Sequence, residues 1–174
     1  MWLVISSTEF HVVNRQVISR YALLAFILNI LVGCASTPKT TTLKNSFATR
    51  NPVVNYALSL QGKPYRWGQE SPQQGFDCSG FVKHVYARHG IRLPRTAHQM
   101  ANALPKVDSR IRQPGDLVFF NTTGEPFSHV GIYIGENAFV HSSSVIVRVI
   151  ISSLSKPYWW EHFLGIRRDR KSVV

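Results

Sequence analysis

The sequence predicts an α+β domain in which N-terminal helices pack on an antiparallel β-sheet. Two observations carry this. Between Asn51 and Ala103 apolar residues recur at helical spacing. From Leu117 onward they gather into short runs rich in Val, Ile and Phe, separated by Asn, Gly and Ser. Helices followed by strands, rather than alternating with them, favour an antiparallel sheet covered on one face. At 174 residues and 44% apolar content, the chain can build one domain with a core and is too short for two of ordinary size.

The elements follow in order. Asn51-Pro52 has the form of a helix N-cap with proline at the first helical position, and Val53, Val54, Ala57, Leu58 and Leu60 then fall on one face before Gly62. Residues 63–75 read as a loop. Cys78 to His89 form a second helix, with Phe81, Val82, Val85 and Tyr86 on its buried face and Gly90 as its stop. A short helix over Thr96 to Ala103 follows Pro94. Leu117–Phe120, Val130–Ile134, Ala138–His141 and Val145–Ile150 read as strands, with turns at 121–124, 135–137 and 142–144. His162–Ile166 is a final β-rich run. The basic tail from Arg167 to Lys171 is either solvated or in contact with anionic lipid.

Upstream of this domain the composition changes. An apolar run of about twelve residues, Tyr21 to Val32, is shorter than the roughly twenty needed to span a bilayer. Arg15 and Arg20 precede it, and Leu31-Val-Gly-Cys34 ends it, so residues 1–33 read as a secretory signal. The ending resembles the bacterial lipobox, in which the chain is cut before a cysteine that then carries lipid. Cys34 is the expected lipidation site. A buried helix ending at Gly33, or a plain signal with a chance cysteine, is the competing reading. Residues 34–50, rich in Ser and Thr, read as a flexible tether to a domain at 51–174. Ala35 after the cysteine points to the outer membrane facing the periplasm, because an Asp there would favour retention at the inner membrane.

Charge narrows the partners. Twenty Lys and Arg against nine Asp and Glu give +11, which suits anionic lipid, nucleic acid or an anionic wall polymer. A secreted lipoprotein has little occasion to meet nucleic acid. Two cysteines exclude a disulfide scaffold. No thiolate or carboxylate stands at a metal-ligand interval from His129 and His141, so neither a metal nor a cofactor is expected.

The strongest chemical signal is Asp77-Cys-Ser-Gly80. Cys78 falls where a Gly-containing loop meets a helix start, and free N–H groups there favour thiolate over thiol. A buried inert cysteine, or one bonded to Cys34, is the bland alternative. Of the histidines, His84 and His89 lie farther along the same helix and should be solvated. His129 opens one strand and His141 closes the next, across the turn at Gly135-Glu-Asn137. That places them side by side, His129 as base to Cys78 and His141 as the group that orients it.

Five strings in this order, Phe76-Asp-Cys-Ser-Gly-Phe-Val, Leu93-Pro-Arg-Thr-Ala-His-Gln, Pro114-Gly-Asp-Leu-Val-Phe-Phe, Ser128-His-Val-Gly-Ile-Tyr-Ile-Gly and Phe139-Val-His-Ser, make the chain resemble the NlpC family of bacterial cell-wall cysteine peptidases over about residues 51–167. With its lipobox the chain is most similar to the Spr-type lipoprotein murein endopeptidases. The resemblance implies a papain-like fold, with Cys78 as nucleophile, His129 as base and His141 as orienting residue. It also implies that Tyr65, in Lys63-Pro-Tyr-Arg-Trp-Gly68, lies near the oxyanion, and that Asp77, Ser79, Arg95 and Thr96 lie near the substrate cleft. The family usually has Gly-Gly after the tryptophan, whereas this chain has Gly68-Gln69, which puts the loop's shape in question. The implied activity is that of a monomeric hydrolase of peptidoglycan, held at the membrane by its anchor, that cuts D-alanyl–diaminopimelate cross-links. The mature part, Cys34 to Val174, is filled mostly by these motifs, so an uncapped groove open to cross-linked polymer is expected. Cleavage of the γ-D-glutamyl–diaminopimelate bond, a non-catalytic wall-binding lipoprotein and an acyltransferase are the alternatives.

Overall fold

A computed structural model describes residues 50–170. The signal segment, Cys34 and the tether lie outside the described residues.

The helices form for the local reasons the sequence offers. Helix α1, Pro52–Ser59, begins at Asn51, whose side-chain oxygen accepts from the N–H groups of Val53 and Val54. A hairpin of two short strands, β1 (Glu70–Ser71) and β2 (Gly75–Phe76), follows where the sequence reads only as loop. Helix α2, Cys78–Ala87, is capped by Asp77. Helix α3, Ala97–Ala103, is opened by a capping box between Thr96 and Gln99.

The main sheet has six antiparallel strands in the order β3-β8-β4-β5-β6-β7: β3 is Lys106–Val107, β4 Leu117–Phe120, β5 His129–Gly135, β6 Ala138–Ser143, β7 Arg148–Ser153 and β8 Phe163–Arg167. The turn between β5 and β6 is Glu136-Asn137, both at positive φ (50° and 55°), the two-residue geometry that matches strand twist. Alternation along the strands builds two cores. Leu117, Phe119, Val130, Ile132, Ile134 and Val140 pack under α1, α2 and α3. Val118, Phe120, Tyr133, Phe139 and Ile166 form a second cluster. That cluster includes Trp159 of a short helix, α4 (Pro157–Glu161), to which no sequence signal pointed.

Three expectations need correction. The strand read at 145–150 starts at Arg148. Val145, Ile146 and Val147 instead form a turn, with Val147 at φ 59°, and Ser142 and Ser143 belong to β6. Three consecutive β-branched residues look like a strand, but the hairpin must turn there because Tyr65 N–H donates to the Val147 carbonyl at 3.0 Å and Pro64 bridges to Arg148. The start of the basic tail is neither solvated nor free for lipid, and Lys171 lies outside the described residues. Arg167 is buried, donating to the Ala101 carbonyl at 2.8 Å, and Arg168 forms an ion pair with the fully buried Asp116 at 2.6 Å. His84 is half-buried rather than solvated: its Nε2 lies 2.9 Å from the Tyr56 hydroxyl and its ring 5.2 Å from that of Phe76.

The start of α2 sits tightly on the preceding loop. A Cβ added at Gly80 would lie 2.2 Å from the Gln69 carbonyl oxygen, the same oxygen that accepts from Asp77 N–H. Backbone cannot give way as a side-chain tip can. Gly80→Ala is therefore expected to destabilise the domain by about 2 kcal/mol or more, read as a fall in Tm of about 5–10 °C. An unchanged melting curve would refute this account of the glycine.

Candidate active site

Cys78 is the first residue of α2 and carries a free thiol. Its sulfur lies 3.9 Å from the Ser128 carbonyl oxygen, immediately before His129 in the chain. The Val130 N–H, just after His129, also acts on the sulfur. The helix start thus abuts the opening residues of β5.

The histidines lie together on neighbouring strands. Ile132 pairs with Val140, a register that sets Gly131 beside His141 and His129 diagonal to it. His129 Nε2 lies 2.9 Å from His141 Nδ1, and His141 Nε2 lies 2.9 Å from the Ser152 hydroxyl of β7. Glycine at 131 is required by space: a Cβ there would come 2.6 Å from the Phe139 ring and 3.2 Å from the His141 Cβ. Ser152 is a member of this chain that sequence reading missed, because β7 was placed three residues early and no register linked it to His141.

The acidic and basic residues expected at the cleft bond mainly to one another. Asp77 accepts from Gly80 N–H at 2.6 Å and Gly68 N–H at 3.0 Å. Arg95 donates to Asp77 at 2.5 and 3.1 Å and to Ser79 at 3.0 Å. Burial alone would raise the Asp77 carboxyl, but the bonds from Arg95, Gly80 and Ser79 outweigh it and hold it below the usual carboxylate range. Asp77, Ser79 and Arg95 therefore clamp the start of α2 to the loop, and Thr96 caps α3. All four line an open groove of about 750 Å³ together with Cys78, Trp67 and Phe127. Gly68 is at φ 75°, whereas Gln69 is not at positive φ, so the Gln in place of the usual second glycine imposes no backbone strain.

Tyr65 is half-buried and held by the Val147 carbonyl. Burial, then the negative charge that Cys78 and Asp77 can carry, raise its phenol pKa, so its hydroxyl stays a donor at neutral pH. Burial pushes the Cys78 thiol up to about 11, and the Asp77 charge adds to this; N–H groups at Val130 and the helix start pull it down and do not prevail. Burial also pushes His129 down to about 4 and lowers His141. Both members of the Cys78–His129 pair thus rest uncharged, and the helix start does not by itself supply a ready thiolate.

A thiol at a capped helix start, against a strand that opens with one histidine of a hydrogen-bonded pair, matches a known domain: the NlpC/P60 family model aligns with residues 62–168. The chain belongs to the NlpC/P60 family. It is 44% identical over 121 residues to the murein DD-endopeptidase MepH of Escherichia coli K12, covering 67% of this chain and 44% of MepH. It is 38% identical over 128 residues to the bifunctional muramidase/DL-endopeptidase CwlT of Bacillus subtilis 168, covering 72% of this chain and 38% of CwlT. The chain therefore spans less than half the length of either relative. Among solved structures, an NlpC/P60 family protein from Bacillus cereus ATCC 10987 superposes with a TM-score of 0.64 at 34% identity, over 70% of this chain and 40% of that one. The α+β fold is the family's, as the motifs implied.

Proposed function

We propose that this NlpC/P60 domain is a cysteine peptidase that hydrolyses peptidoglycan stem peptides. The reading is supported by the hydrogen-bonded series His129, His141, Ser152 assembled from β5, β6 and β7, with the Cys78 sulfur of α2 3.9 Å from the carbonyl that immediately precedes His129. His129 Nε2 is engaged by His141, which leaves Nδ1 to exchange a proton with the thiol. If each histidine carries its proton on Nε2, donation runs from His129 to His141 to Ser152 and every partner is satisfied.

In this mechanism Cys78 Sγ attacks the scissile carbonyl carbon as His129 Nδ1 takes the thiol proton. Tyr65, whose phenol stays protonated and feels the charge of Cys78, is assigned as the donor to the oxyanion. His129 then gives its proton to the departing amine as the carbon–nitrogen bond breaks, leaving a thioester. Water attacks the thioester, its proton passing through His129 back to the sulfur. Neutral resting partners suit this scheme, because His129 must begin as a base and Cys78 must end as a thiol.

The bond is assigned as the D-alanyl–diaminopimelate cross-link, in keeping with the 44% identity to a protein named as a DD-endopeptidase. The groove beside Cys78 is open, and a net charge of +11 suits the carboxylates of the polymer. The likeness to CwlT, named as a DL-endopeptidase, supports a γ-D-glutamyl–diaminopimelate specificity as the second reading. Purified cross-linked dimers separate the two. Loss of dimer with intact tetrapeptide monomers is the expected result; monomers trimmed to dipeptide stems would overturn it.

We further propose that residues 1–33 are removed and that lipid on Cys34 holds the domain at the outer membrane, facing the periplasm. Cys34→Ala is expected to shift the protein from the membrane pellet to the soluble fraction after ultracentrifugation. A variant that still sediments with membranes would refute the anchor.

A further inference from the structure

Helix α4 opens with Pro157 and places three aromatic residues in succession. Tyr158 and Trp160 are exposed, whereas Trp159 is turned inward. Its ring centroid lies 5.6 Å from that of His129 and 5.0 Å from that of His141, the latter edge to face. Phe120 and Phe139 meet the same indole at 4.8 and 5.0 Å, and Phe139 also lies 4.8 Å from His141. The two phenylalanines are fully buried in the sheet, so Trp159 is the partly exposed wall of the box. Beyond it opens a second cavity of about 330 Å³, distinct from the groove beside Cys78, onto which His129, His141, Ser152, Tyr158 and Trp159 all face.

We propose that Trp159 is a positioning residue for the His129–His141 pair, its indole holding both rings in their bonded orientation and covering part of the surface they would otherwise expose to the second cavity. This rests on the reading of His129 as the base. The pair is joined by one hydrogen bond that a small rotation of either ring would break. Phe139 packs on His141 and Phe120 on His129, whereas Trp159, about 30 residues from His129 in the chain, packs on both rings at once.

The groups facing the pair are few. They are the Ser152 hydroxyl of β7, the Phe120 ring of β4, the Phe139 ring of β6, and Tyr158 and Trp159 of α4, with Thr122, Ser143 and Ser144 as further polar residues on the second cavity; the Cys78 sulfur meets the Ser128 carbonyl just before His129. No Lys, Arg, Asp or Glu lines the second cavity. Burial is accordingly the sole cause of the lowered His129 basicity, and Trp159 is the part of that burial that a substitution can remove without touching the sheet.

The test uses the full chain with Trp159→Ala, Trp159→Leu and Trp159→Phe. The first readout is the NMR titration of the His129 imidazole, which needs no activity. In Trp159→Ala and Trp159→Leu its midpoint is expected to rise from about 4 by at least about one unit toward 6.5. The second is hydrolysis of cross-linked dimers as a function of pH. There kcat at mildly acidic pH is expected to fall by about tenfold to a hundredfold with KM changed by less than about threefold, and the acid limb to move up in pH. Trp159→Phe is expected to restore most of both. An unmoved midpoint in Trp159→Leu, or a kcat that falls only in step with the folded fraction, would overturn the proposal. A wild-type chain that cuts no stem peptide would instead refute the peptidase reading, while the titration still decides the role of Trp159.

Discussion

Cys78→Ala is expected to lower the rate of stem-peptide hydrolysis by at least about 10⁴-fold while leaving the fold intact. The sulfur's polar contacts with the fold are weak, a 3.9 Å approach to the Ser128 carbonyl and the N–H groups of Val130 and the helix start. Alanine at the first position of α2 suits a helix, and the cap from Asp77 does not depend on residue 78. Release of muropeptides from purified sacculi measures the first effect and the melting temperature the second. Substantial remaining hydrolysis would end the cysteine-peptidase account. The wild-type thiol carries a further expectation. Sequence reading leads one to expect faster alkylation than at an ordinary cysteine. With burial pushing the thiol up to about 11, a small alkylating agent at neutral pH should instead react about a hundredfold more slowly than at an exposed cysteine.

His129→Gln is expected to lower kcat by about 10³- to 10⁴-fold, since glutamine keeps a hydrogen-bonding group but cannot carry the thiol proton. The residual rate should rise with pH across the alkaline range, as solvent replaces the missing base in ionising the thiol. The Cys78→Ala/His129→Gln double variant should be no slower than Cys78→Ala alone, because the two groups act as a unit. Rates that multiply in the double variant would mean that the two residues act independently. Stability carries the same signature. Folded His129 titrates near 4 and an unfolded histidine near 6.5. Between those values the unfolded chain binds more protons, so stability is lost as pH falls through that window. His129→Gln removes one contributor to that loss. Chemical denaturation of both proteins across this range tests it; an equal slope with pH in both would show that His129 is not buried as a neutral base.

Local chemistry made much of this protein legible from its sequence. Asn51 caps α1 because a short polar side chain before an apolar period can satisfy free N–H groups wherever the chain occurs; Asp77 and Thr96, expected only near the cleft, cap α2 and α3 in the same way. The start of α2 at Cys78, the turn at Glu136-Asn137 and the placement of His129 and His141 on adjacent strands follow from such nearby signals. The tertiary structure decided what depends on register and on contacts distant in sequence. The apolar run 145–147 became a turn because the 62–66 segment bonds to Val147 and Val149. Arg167 and Arg168, which read as part of a solvated or lipid-contacting end, are held by the Ala101 carbonyl and by Asp116. Ser152 reached His141, and Trp159 reached both histidines, through strand pairing and packing across the sheet. The ionisation of Cys78 was decided in the same way: the helix start favours the thiolate, but desolvation by the surrounding fold outweighs it, and desolvation is a property of the assembled core that no local pattern encodes.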